Sequence, residues 1–93
     1  DNTVYNVKSL AQQELKIWER EMNGIYSLLL EALPEKDASQ LREEQQEWME
    51  ESTQKARTAA GKSGGSSMES VEYTASLAGS YRERAYGLIQ AYE

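Results

Sequence analysis

The stretch GGSSMESVEYTASLAGSYRERAYGLIQAY, residues 64–92, opens on a glycine pair and continues as an uninterrupted helical pattern. Val71, Thr74, Ala78, Tyr81, Ala85, Leu88 and Tyr92 follow one another at alternating spacings of 3 and 4, which places them on one face of an α-helix. Ser66 followed three residues later by Glu69 has the form of a capping box at its start. The face is built of small and aromatic side chains, a composition that lets a bulkier neighbouring helix approach closely. Arg82 and Arg84 stand towards the C-terminal end, where cations suit the helix dipole. Either could also pair with acids on the preceding helix.

Two further helical patterns precede it. Leu15, Trp18, Met22, Ile25, Leu29 and Ala32 share a face over a helix predicted from about Val7 to Leu33. Residues 1–6 read as a polar, flexible lead-in. A close helix–helix contact would account for Gly24 inside this helix. Pro34 ends it, because proline disfavours the α conformation in the residue before it. The second helix is expected to begin at Asp37 or Ser39, with Asp37 and Gln40 as a capping box. Leu41, Gln45, Trp48, Ser52, Lys55 or Ala56, and Ala59 give it a thinner, more polar face, and Gly61 suits its C′ position. Residues 61–67, GKSGGSS, form the loop before the last helix. With no strand pattern and no internal repeat, the expectation is an all-α protein: a small antiparallel three-helix bundle with long helices, one domain over residues 1–93. Trp18 and Trp48 should carry a large share of its stability.

Composition narrows the chemistry. The chain has 93 residues, no cysteine, no histidine and no phenylalanine. Thiolate catalysis, cysteine-ligated zinc and iron–sulfur clusters are excluded, and the commonest general base and metal ligand are missing. No cofactor or metal site is expected. A net charge of −6 repels a phosphate backbone, so nucleic acid is not an expected partner, whereas a basic protein is. The longest purely apolar run, Leu28–Leu30, falls far short of the roughly 20 residues that cross a bilayer. The chain begins at Asp1 without an initiator methionine, as a processed or trimmed form would.

Several local patterns invite a functional reading. Gly61-Lys62-Ser63 matches the tail of a phosphate-binding P-loop, but Ala56 stands where that motif needs glycine and no strand precedes it. Glu43, Glu44, Glu47, Glu50 and Glu51 make an acidic strip, either a solvated helix face or a docking surface for a basic partner. Within it Glu43, Glu47 and Glu50 are the candidate contacts. Paired carboxylates could serve a glycosidase, but a bundle this small offers no deep cleft, and the chain is read as not an enzyme. Trp18, Trp48, Tyr26 and Tyr81, at helical spacing, read as core. Tyr73, Tyr86 and Tyr92 are better placed as exposed contact residues, with Tyr73 and Tyr86 the candidates for partner binding.

Taken in order, these residues resemble the secreted bacterial proteins and lipoproteins with a lysozyme inhibitor LprI-type N-terminal domain. Met22-Asn23 followed by Tyr26 resembles the first element of that family's pattern. Leu41, Gln45 and Trp48 resemble the second, Gly64-Gly65-Ser66 the turn before the last helix, and Arg84 with Leu88 the last. The resemblance spans roughly residues 10–92 and is to the cysteine-free branch common in Gram-positive bacteria. The chain departs from the pattern at Ser52, where an arginine is usual, and at Tyr81, where a threonine is usual.

The resemblance implies a secreted or envelope-anchored, non-catalytic binding domain outside the cytoplasmic membrane, a lysozyme inhibitor that binds a basic protein, with lysozyme or another envelope protein as the partner. An acidic bundle would be steered towards a basic lysozyme of the animal type. The alternative is a structural or assembly domain of the cell envelope that acts through protein–protein contacts, with exposed apolar area around Tyr73, Leu77 and Tyr86.

Overall fold

A computed structural model describes residues 2–93, with side chains from Thr3 onward, as three long helices: α1 (Asn2–Ala32), α2 (Glu35–Gly61) and α3 (Glu69–Tyr92). They run up, down and up, so consecutive helices are antiparallel and the outer two of the sequence, α1 and α3, are parallel neighbours. α3 packs along both others, while α1 and α2 touch little directly. The small-residue face read from residues 64–92 explains this arrangement, since it is the face best able to accept two neighbours. The bundle is long and thin, 51 × 21 × 16 Å, with a radius of gyration of 15.3 Å. A compact globule of this length would have about 12 Å. So slender a body has little room for fully buried side chains.

The core accordingly sits at one level. Met22 of α1, Leu41 of α2 and Tyr81, Ala85 and Leu88 of α3 form a buried cluster, with Leu15, Trp18, Ile25, Leu29 and Trp48 packed around it. Met22 and Leu41 are the two large side chains fully removed from solvent. Trp18 and Trp48 are half-buried, packed against the cluster rather than inside it. Towards the other end the buried side chains are small: Ala11, Ala56, Ala60, Val71 and Ala78. Within the expected faces, Ala56 rather than Lys55 is buried on α2, while Ala32 and Tyr92 at the helix ends are exposed.

The helix ends differ from the sequence expectation. α1 begins at Asn2, five residues before Val7, so residues 2–6 of the expected lead-in are helical, and Asp1 lies outside the described residues. α2 begins at Glu35, directly after Pro34, with no side-chain cap. Pro34 both ends α1 and starts α2: its fixed φ, here −57°, suits a helix N-terminus, and its carbonyl accepts the Ala38 N–H at 2.9 Å. Asp37 therefore lies inside the first turn, where its charge favours the dipole, instead of capping it. Gly61 is the last residue of α2 and does not take the left-handed C′ conformation. Gly24 meets no neighbouring helix, since a Cβ added there would touch nothing within 4 Å.

The 62–68 loop is built from successive turns. Ser63, Gly64 and Ser66 donate their backbone N–H groups to the carbonyls of Ala60, Gly61 and Ser63. Ser66 and Glu69 do not form the expected capping box: α3 starts at Glu69 with Met68 as its N-cap and no side-chain cap, and the two side chains instead brace the turn before it. The Ser66 hydroxyl accepts from the Met68 N–H at 3.2 Å, and the Glu69 carboxylate accepts from the Gly65 N–H at 3.0 Å. Gly65 is the one described residue with positive φ, at 78°. Opposite outcomes are thus expected for two glycine-to-alanine changes. Gly65→Ala should destabilise by about 1–2 kcal/mol, because an L-residue is strained in that conformation. Gly24→Ala should stabilise by about 0.5–1 kcal/mol, because it restricts the unfolded chain without meeting anything. Urea titration of both variants checks the pair of signs.

Candidate functional site

One polar junction crosses the core level and ties the three helices together. The Gln45 side chain of α2 is buried, donating its Nε2 to Met22 Sδ of α1 at 3.1 Å. Its Oε1 accepts from Arg84 Nε of α3 at 2.9 Å. Arg84 also lies over the Trp48 ring, 5.8 Å from its centroid, while its Nη2 is buried without a hydrogen-bond partner. The indole face offsets part of that unmade bond. Trp48 in turn meets Tyr81 edge-on, ring centroids 5.1 Å apart at 78°. The Tyr81 hydroxyl reaches Met49 Sδ at 3.7 Å, and burial, then the Glu19 carboxylate, then Tyr73 push its pKa above the ordinary value. Tyr81 is a neutral phenol at ordinary pH.

Arg84 therefore pairs with a neutral amide and an aromatic face, not with the acids of α2. The described ion pair of the molecule, Arg42 with Glu35 at 2.6 Å, lies on the surface of α2. Leu41, Gln45, Trp48, Arg84 and Leu88, named separately from the sequence, converge on this junction and the cluster beside it. Tyr26 packs at its edge, half-buried, and Asn23 is exposed. Gly64 is held close to its own turn, where a Cβ would stand 3.3 Å from the Gly61 carbonyl, and Gly65 supplies the positive φ. These are the parts of a scaffold. Among the described residues no three Asp or Glu side chains gather as a metal-binding group.

The contact candidates lie on separate surfaces. Glu43, Glu47 and Glu50 are exposed and follow α2 on the side away from its buried Leu41, Gln45 and Ser52. Tyr73 is half-buried and lines an open concavity of about 440 Å³ with Ala60, Ser66, Ser70 and Thr74, where α2 ends and α3 begins. Tyr86, roughly 20 Å further along α3, is exposed and lies against α1. The structure therefore does not bring the five residues into one patch. Leu77 is half-buried against the core, so the apolar surface expected around Tyr73, Leu77 and Tyr86 is not continuous either.

A different surface joins Tyr86. Its ring lies 5.7 Å from that of Trp18 at 44°, and the Arg82 guanidinium stands 5.7 Å from the Trp18 centroid and 5.6 Å from that of Tyr86. Arg82 thus serves the two rings rather than the helix end. Trp18 Nε1 donates to the Glu14 carboxylate at 3.2 Å, which holds the indole in place. Ile17, Ile25 and Ile89 extend the surface on either side of the α1–α3 seam. The sequence carried a signal for it, because Leu10, Ile17 and Leu28 are apolar residues of α1 outside its core stripe.

Comparison with known proteins bears on what this scaffold is for. The family model described as Lysozyme inhibitor LprI matches residues 1–88, nearly the whole chain. No curated protein and no solved structure gives a significant match.

Proposed function

Because the chain belongs to the lysozyme inhibitor LprI family, we propose that it is a non-catalytic binding domain that acts outside the cytoplasmic membrane by holding a basic protein, lysozyme first among the candidates. The family match over residues 1–88 carries this reading. Two features support it. The net charge of −6, with Glu43, Glu47 and Glu50 free of any cationic partner among the described residues, attracts a basic protein over a distance. The concavities of the surface are also open and shallow, which suits contact with a macromolecule better than enclosure of a small substrate. Among the described residues no helix is long and apolar enough to cross a membrane.

The test is the activity of a basic animal-type lysozyme with increasing amounts of the purified chain. Inhibition that deepens with dose and weakens between about 50 and 300 mM salt is the expected result. Replacing Glu43, Glu47 and Glu50 together by glutamine should slow association at low salt, on the order of three- to tenfold. Absence of both inhibition and a complex at low salt would remove the inhibitor reading and favour the assembly role in the cell envelope.

A further inference from the structure

We propose that the groove on the outer side of the α1–α3 seam is the seat for a basic protein, which fills it with an apolar side chain and sets a cation against Glu21 at its edge. This rests on the partner class inferred above and names the surface that would hold it. The groove is a concavity of about 400 Å³ with Ala85 as floor and Ile17, Trp18, Ile25, Tyr86 and Ile89 around it. Ile17 is 53% exposed, Tyr86 50% and Ile89 45%. Single exposed apolar residues are ordinary on any surface, but here they adjoin one another around a hollow. A second hollow of about 250 Å³, between Ala11 and Glu14 of α1 and Ala75 and Gly79 of α3, continues it past Trp18.

Two observations make this a binding surface rather than an incompletely covered core. Its centre is already ordered: Trp18 is tied to Glu14, Tyr86 lies against Trp18, and Arg82 stands over both rings. Tryptophan, tyrosine and arginine are the side chains that dominate interface energetics, and those held in place beforehand lose little freedom on binding. The second observation is charge. Glu21 lines the main hollow with no cationic partner among the described residues, while Glu14, bonded to Trp18, shares the adjoining hollow with Arg82. A second copy of the chain would bring another −6 to this face, whereas a basic protein would bring a counter-charge to Glu21 and be drawn by the net charge of the whole bundle. Charge thus selects the occupant.

The groove and the α2 strip make different kinetic predictions. Rim and distant charges act on association, and packed contacts act on dissociation. The experiment immobilises the full chain and records association and dissociation of a basic animal-type lysozyme. The double variant Ile17→Ser/Ile89→Ser alters exposed positions only, and its melting curve should overlay that of the native protein. It should raise the dissociation rate about tenfold or more. Glu21→Lys, which leaves the packing alone, should weaken binding about fivefold or more at physiological salt. It reads the same groove even if the double variant melts early. Dissociation unchanged in the double variant, or binding unchanged in Glu21→Lys, overturns the groove while leaving the partner class standing. No complex with the native chain at low salt overturns both.

Discussion

Leu41→Ala is expected to lower the unfolding free energy by about 2–5 kcal/mol, the range for truncating a fully buried leucine. Leu41 is 1% exposed and stands where all three helices meet, beside Met22, Tyr81, Ala85 and Leu88. The surrounding side chains come from three different helices joined by short turns, so they cannot collapse into the space without moving whole helices. The lost volume should persist as a cavity, which places the cost towards the upper part of the range. A domain of this size has about 5–15 kcal/mol of stability in all, and each kcal/mol shifts its melting temperature by roughly 4–8 °C. The variant should therefore melt on the order of 10–30 °C below the native protein. Leu28→Ala is the control: Leu28 is 67% exposed, and its loss should change stability by no more than about 0.5 kcal/mol. Equal effects of the two changes in thermal and urea unfolding would mean that the core does not lie at this level.

The contrast between these two leucines also shows how far the sequence could be read. Leu41 sits on a 3–4 stripe with Gln45, Trp48 and Ser52, and its burial follows from that spacing alone. Leu28 adjoins Leu29 and Leu30 in the most apolar run of the chain, yet it points outward, because only the stripe through Met22 and Leu29 faces α3. Periodicity thus located the three helices and most of their buried faces. Helix ends were less legible. The mostly polar residues 2–6 carry no apolar stripe, so the start of α1 at Asn2 is not marked by periodicity, and Pro34 serves as the start of α2 in place of the better-looking Asp37. Partners across helices were not legible either. Gln45 and Arg84 lie 39 residues apart, and nothing local to either indicates the other. An arginine near a helix C-terminus looks like a surface charge until its neighbours are known. The proposed contact surface is half legible: Tyr86 reads as exposed, but its companions Ile17 and Ile89 come from outside the core stripes and join it only through the parallel packing of α1 and α3.

Substitutions at Gln45 and Arg84 are expected to be strongly coupled. Arg84→Met keeps most of the aliphatic packing but leaves Gln45 Oε1 buried without its donor, at a cost of about 1–3 kcal/mol. Gln45→Leu fills similar space but removes the described side-chain acceptor of a half-buried guanidinium, at a cost of about 1.5–3 kcal/mol. The double variant removes both halves of the bond and the orphaned Nη2 with them. Replacing both partners by apolar groups of similar shape is often nearly neutral, so it should be less destabilised than the sum of the single variants by about 1–3 kcal/mol. Urea unfolding of the four proteins measures this directly, and additivity within about 0.5 kcal/mol would show that the bond does not exist in solution. The same four proteins separate scaffold from contact surface. Neither Gln45 nor Arg84 lines the α1–α3 groove, so a folded double variant should dissociate from lysozyme at the native rate. A faster rate in a variant that melts like the native protein would move the binding surface to the junction itself. Leu41, Gln45, Trp48, Arg84 and Leu88 would then be contact residues, where their packing assigns them to holding three thin helices in register.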